Sequence, residues 1–265
     1  MGYKMIAVDM DGTLLNDAGQ ITPVTAAAIV RAMAAGVVFS ISTGRPIQGI
    51  EKYNHILYLN APVIAYNGAM VVDPQTKQVL FQQGLEKDDA RRILALGNAL
   101  GTTMCIWSAN RLYGNVLNDK IHDYKKLSGV EPLLVEDYEA LLEQGITKIL
   151  WYDTVEKLAK YQQMLGEMAF DSVTYCTSKP VFLEFFNSKV SKAKAMEFIG
   201  GLYQIRREEM IAIGDGLNDL SMIEYAGLGV AMGNAHPAVK EIAGYVTASN
   251  EEDGIAQVIQ EFIRL

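Results

Sequence analysis

Asp9 and Asp11 stand one residue apart in the run Asp9-Met10-Asp11-Gly12-Thr13, directly after the apolar stretch Met5-Ile6-Ala7-Val8. Two carboxylates so placed can hold a metal ion through hard oxygens and supply a carboxylate nucleophile. The apolar stretch reads as a short buried strand, and Gly12 permits the sharp turn that brings the carbonyl and side chain of Asp11 toward one pocket. Acids at the carboxyl end of a strand lie where open α/β sheets take their ligands. The competing reading is a plain Asp-Gly turn.

Three later segments add to this one. Val37 to Ser42 reads as a second buried strand ending in Thr43-Gly44-Arg45-Pro46. There a hydroxyl, an N–H without a Cβ in the way and the start of a helix outline an anion site, or else an ordinary capped helix. Val190-Ser191-Lys192 opens another helix. A Lys in the first turn is unfavourable by ~0.3 to 1 kcal/mol, so its presence points to an anion that both the cation and the helix start face. Glu209 to Ile213 reads as a strand followed by Gly214-Asp215-Gly216-Leu217-Asn218-Asp219. This is close to a dinucleotide fingerprint, but Asp215 sits between the glycines and Asp219 stands where a third Gly should pack. Carboxylates there repel a pyrophosphate and suit a divalent cation.

In this order the four segments resemble the motifs of the haloacid dehalogenase superfamily, and specifically its Cof-type sugar-phosphate phosphatases with a large inserted cap. The resemblance spans the whole chain; Ala193 replaces the Gly frequently found after the motif Lys. It implies a Mg²⁺-dependent phosphohydrolase acting on small phosphorylated metabolites, such as sugar phosphates, through an aspartyl-phosphate. Asp9 is then the nucleophile, and Asp11 protonates the leaving group and later deprotonates water. Mg²⁺ is held by Asp9, the carbonyl of Asp11 and Asp215, with Asp219 behind them. The N–H groups of Met10 and Gly44, together with Thr43, Lys192 and Asn218, hold the phosphoryl oxygens. Arg45 stands at the rim, and Glu184 and Asn187, on the return from the insert, are substrate or hinge contacts. A phosphomutase of the same superfamily fits the motifs as well. A receiver-like, phosphorylation-controlled binding domain would place its acceptor Asp later than the first strand and would lack a large insertion.

The elements that must position these residues give the fold class: α/β, a doubly wound, mostly parallel Rossmann-like sheet over residues 1–83 and 188–265, with an α+β cap inserted at 84–187. Thr22 caps a helix that starts at Pro23 and is closed by Gly36; a second helix follows from Ile47 to Leu57. Pro62 to Tyr66 is a third strand. Asn67-Gly68 is a hairpin signal first and a place on the site rim second. Within the insert, helix periods (Glu86 to Leu100, Val155 to Met168) alternate with strand-like runs at Met104 to Trp107, Thr147 to Tyr152, Ser172 to Cys176 and Val181 to Phe186. Such pairs of strands predict an antiparallel sheet. Arg111, His122, Tyr124, Lys125 and Lys126 are polar or aromatic enough to contact a substrate but read first as a solvated face, and Asn234 reads as connection chemistry.

The net charge of −8 and the lack of any Lys/Arg block argue against nucleic acid. No apolar run approaches the ~18 residues of a membrane span. Cys105 and Cys176 read as buried free thiols of a reducing compartment, and with no signal segment legible the expected location is cytoplasmic. His55, His122 and His236 are scattered, so no catalytic His is expected. No protein partner is predicted.

Overall fold

The computed structural model describes residues 2–59 and 61–263, without the side chains of Lys52, Asn54 and His55. The expectation for His55 therefore lies outside what is described, as do Met1, Asn60, Arg264 and Leu265 within the expected core bounds. The chain opens with β1 (Met5–Val8), α1 (Pro23–Ala34), β2 (Val38–Ile41), α2 (Gln48–Leu57), β3 (Val63–Ala65), β4 (Met70–Val72) and β5 (Val79–Gln82). Next come α3 (Lys87–Ala99), β6 (Thr103–Ser108), β7 (Arg111–Gly114), α4 (Asp119–Ser128), β8 (Leu133–Leu134), α5 (Tyr138–Gln144), β9 (Lys148–Tyr152), α6 (Val155–Gly166), β10 (Val173–Lys179) and β11 (Phe182–Asn187). It closes with α7 (Lys192–Tyr203), β12 (Met210–Gly214), α8 (Leu220–Tyr225), β13 (Leu228–Ala231), α9 (Pro237–Ile242), β14 (Tyr245–Val246) and α10 (Gly254–Phe262). Two compact units result: Met1–Arg45 with Ile50–Phe81 and Ser191–Leu265, and Pro46–Gly49 with Gln82–Val190.

The first unit is built on a sheet of order β14-β13-β12-β1-β2, every pair parallel. Met5, Ile6, Ala7 and Val8 are wholly buried, as an apolar strand covered on both faces must be. Thr22 Oγ1 accepts from Thr25 N at 3.1 Å with Pro23 behind it, the cap that the sequence implies. From β1 the chain winds outward to β2, whereas from β12 it winds the other way to β13 and β14. The order therefore reverses between β1 and β12, which opens a crevice at their carboxyl ends. Asp9 and Asp215 are the first residues beyond those two ends. A smaller sheet, β3-β4-β5, adjoins β2 through the bridge from Ser42 to Ile64.

The second unit holds a sheet of order β10-β11-β9-β6-β7-β8, antiparallel except for the last pair. Alternation sorts its side chains: Met104, Ile106, Ile149, Trp151, Leu183 and Phe185 join the core shared with α3, α5 and α6. Cys105, Trp107, Lys148 and Glu184 take the other face. There Lys148 Nζ binds Glu184 Oε2 at 3.0 Å, and Ser178 Oγ donates to Glu184 Oε1 at 2.7 Å. The segment from β7 to α5 escapes periodicity because its elements are short or carry few apolar residues. Tyr124 corrects the expectation of a solvated face. It is buried, and its hydroxyl accepts from Trp107 Nε1 at 3.0 Å. Neither cysteine is in a disulfide; Cys105 is buried, whereas Cys176 is only half-buried. No helix among the described residues is long and apolar enough to cross a membrane.

Candidate active site

Asp9 continues the ladder beyond β1, its N–H donating to Ile213 O at 2.9 Å, so its side chain leaves the sheet at a fixed angle into the crevice. Lys192, at the first position of α7, is 1% exposed. Its ammonium binds Asp9 Oδ1, Asp219 Oδ1 at 2.6 Å and the Ser42 carbonyl at 2.9 Å. The ends of β1 and β2 and the loop after β12 are thus tied to one cation. Asp219 is wholly buried, and its second oxygen accepts from the N–H groups of Asp215 and Gly216 at 3.0 and 2.9 Å. The Asp215 carboxylate is steadied by the Thr13 hydroxyl at 2.7 Å.

Carboxylate oxygens of Asp9, Asp215 and Asp219 all lie within 4.8 Å of one another. Burial, followed by the charge of Asp219, holds the Asp9 carboxyl well above its ordinary range. Burial likewise pushes Asp215 up to about 6. Burial alone would lower the Lys192 ammonium, but Asp219 and Asp9 outweigh it and hold its pKa above the usual value. Three acids around one ammonium carry two surplus negative charges, which a divalent cation with oxygen ligands would balance. Gly12 allows the close packing this needs. Its φ is +82°, and a Cβ there would stand 2.5 Å from Asp215 Oδ2.

The other predicted residues are placed as follows. Met10 is buried, and its carbonyl accepts from Leu15 N at 2.9 Å. Thr43 is buried, and its hydroxyl accepts from Arg45 N at 3.1 Å. Gly44 lies against Asn67, whose Oδ1 would be 2.9 Å from a Cβ at that position. Arg45 forks onto the exposed Asp11 carboxylate, Nε to Oδ2 at 2.8 Å and Nη2 to Oδ1 at 2.5 Å. Asn218 Nδ2 donates to Asn67 Oδ1 at 3.2 Å. Glu184 and Asn187 belong to the second unit and are engaged within it. Glu184 is buried in its ion pair; Asn187, fully buried, donates to Gly84 O at 2.9 Å and accepts from Lys189 N at 2.9 Å.

Two contributors escaped the sequence reading. Thr13 was read only as part of its motif. Asn234, assigned there to connection chemistry, donates to Gly12 O at 2.8 Å and accepts from Asn250 N at 3.1 Å. The signal for Asn234 was topological: it follows β13, whose carboxyl end shares an edge with that of β1.

The family model described as haloacid dehalogenase-like hydrolase matches residues 6–259. YxeH of Bacillus subtilis is 37% identical over 268 residues, covering 98% of each chain. The 5-amino-6-(5-phospho-D-ribitylamino)uracil phosphatase YitU of the same organism is 30% identical over 271 residues, again covering 98% of each. Among solved structures, TM0651 from Thermotoga maritima superposes with a TM-score of 0.87 at 31% identity, over 99% of this chain and 98% of its own. The chain belongs to the haloacid dehalogenase-like hydrolase family. It is one of the family's phosphatases, as the order of the four motifs anticipates.

Proposed function

We propose that the protein hydrolyses small phosphorylated metabolites through an aspartyl-phosphate on Asp9. The observation that carries this reading is the clasp of Asp9 by Lys192, which fixes the carboxylate at the switch point of the sheet. A carboxylate approaching a phosphate dianion meets repulsion of roughly 4 kcal/mol per charge pair at 4 Å in an effective dielectric near 20. Lys192 offsets part of that. Asp9, the carbonyl of Asp11 and Asp215 form a donor set suited to Mg²⁺, which when bound would neutralise charge on the transferring group. Asp219, saturated by Lys192 and two N–H groups, anchors the loop that presents Asp215.

Asp9 attacks phosphorus in line as the P–O bond to the leaving group breaks, and Asp11 delivers a proton to the departing alkoxide. Asp11 then takes a proton from water, which attacks the acyl phosphate to release phosphate and free Asp9. Thr43, Lys192, Asn218 and the N–H groups of Met10 and Gly44 hold the phosphoryl oxygens. Arg45 keeps the Asp11 side chain in place between turnovers. We place the catalytic core in residues 1–83 and 188–265 and regard 84–187 as the inserted cap. With neither cysteine in a disulfide, the thiols support a cytoplasmic setting. Candidate substrates include sugar phosphates and, from the name of YitU, a phosphorylated ribitylaminouracil.

Phosphate release from p-nitrophenyl phosphate and from a panel of sugar phosphates tests this reading. Turnover should need Mg²⁺, cease in EDTA and return when the metal is restored. Hydrolysis indifferent to EDTA contradicts the metal assignment, and isomerised sugar phosphate without free phosphate would make the protein a mutase.

A further inference from the structure

After β3 the chain makes a turn at Tyr66–Gly68 in which three consecutive residues hold positive φ: 52°, 55° and 99°. At Gly68 the reason is space, since a Cβ would stand 2.2 Å from the carbonyl oxygen of Ser191, the residue before Lys192. At Asn67 no such reason applies. A left-handed residue other than glycine costs ~1 to 2 kcal/mol, less for Asn, so glycine would be the unstrained choice there too. Asn67 is nonetheless 4% exposed, a buried amide in a left-handed turn.

Its contacts supply the reason. The Asn67 N–H donates to Thr43 O at 3.0 Å, and Oδ1 accepts from Asn218 Nδ2 at 3.2 Å. The amide also packs on Gly44, with Oδ1 and Nδ2 lying 2.9 and 3.2 Å from where a Cβ of residue 44 would be. It therefore touches both loops that hold the phosphoryl group in the proposed function, one after β2 and one after β12. With Oδ1 turned to Asn218, Nδ2 points its hydrogens elsewhere, and it makes no hydrogen bond among the described residues. The amide donor is thus unspent on the protein, and its place between the two loops leaves it available to a ligand.

We propose that Asn67 is a phosphoryl-binding residue: Oδ1 orients the Asn218 amide, and Nδ2 donates to an oxygen of the transferring group. This rests on the phosphatase reading of the site and adds to it a donor outside the four motifs. The transferring oxygens become more demanding of donors as charge builds in the transition state, so the loss on removing Nδ2 falls mainly on kcat.

Two variants test the assignment. Asn67→Gly keeps the left-handed turn and deletes the amide. It should unfold at or near the wild-type temperature, lose roughly a hundredfold in kcat with little change in KM, and bind orthovanadate correspondingly more weakly. Asn67→Asp keeps an acceptor for Asn218 but sets a carboxylate against the anion, and should lose more. Wild-type kcat and vanadate inhibition in Asn67→Gly overturn the proposal. If that variant does not fold, wild-type activity in Asn67→Asp overturns it instead. A wild-type protein that releases no phosphate from any substrate defeats the phosphatase reading itself, whereas an active wild type beside an equally active Asn67→Gly defeats only the role of Asn67.

Discussion

Replacing Lys192 by Met should both silence the enzyme and weaken the fold. Lys192 is 1% exposed, and its ammonium is the side-chain partner of Asp9 and one of three donors to Asp219. Met fills a similar volume, so the loss is electrostatic rather than a cavity. Removing one partner of a buried ion pair costs about 3 to 5 kcal/mol. At roughly 2 to 4 °C per kcal/mol for a chain near this size, Tm in EDTA should fall by about 6 to 20 °C. The sign of the pH dependence follows from the acids left behind. A carboxyl whose folded pKa lies above its unfolded value of ~3.9 contributes stability that is fully present below that value and lost as pH rises through the folded pKa. Burial raises Asp9 in this way and pushes Asp215 up to about 6, and loss of the ammonium raises Asp9 further. The Tm deficit should therefore be larger at about pH 7.5 than at about pH 5. Thermal unfolding by circular dichroism at both values is the assay. A deficit below ~1 kcal/mol, or one that does not change with pH, would refute the clasp as a buried charge pair.

Gly12→Ala introduces a Cβ 2.5 Å from Asp215 Oδ2 at a φ of +82°. It should raise the Mg²⁺ concentration for half-maximal activity and cost about 1 to 2 kcal/mol of stability; an unchanged Mg²⁺ titration of phosphate release contradicts the packing of that carboxylate on the loop. Glu209 is held down to about 2, first by the hydrogen bond from Lys4 at 2.8 Å and then by the Arg206 N–H. Its stabilisation is present above the unfolded value of ~4.3 and disappears as pH falls through the folded pKa. Acid titrations of Tm should therefore drop less steeply in Glu209→Gln than in wild type across that interval, and parallel curves would exclude the contribution.

How much of this was legible in the sequence depends on what each feature requires. The acids at the ends of β1 and β12 were legible because parallel strands share a carboxyl edge, so local motif and strand direction suffice to place Asp9 and Asp215 on one edge. The first unit's strands and caps were legible for the same local reasons. The partners of Lys192 were not, because its contact with Asp219 depends on how α7 seats against the loop after β12. Asn67 carried a strong turn signal, and its side-chain bond to Asn218 spans 151 residues that no local pattern relates. The partner of Glu184 was not legible either. It faces Lys148 because the β9 and β11 register pairs Glu184 with Leu150, two residues from Lys148 on the same face, and register is invisible before the strands are paired. The segment from β7 to α5 was lost to short elements and sparse apolar positions.

The central claim is a bond formed transiently between Asp9 and phosphorus. Rapid acid quenching of enzyme turning over a ³²P-labelled substrate, followed by peptide mapping, tests it most directly. The account predicts label on the peptide that contains Asp9, released at neutral pH and absent from Asp9→Asn. Burst release of phosphate with no label on the protein, or label retained in Asp9→Asn, would contradict it.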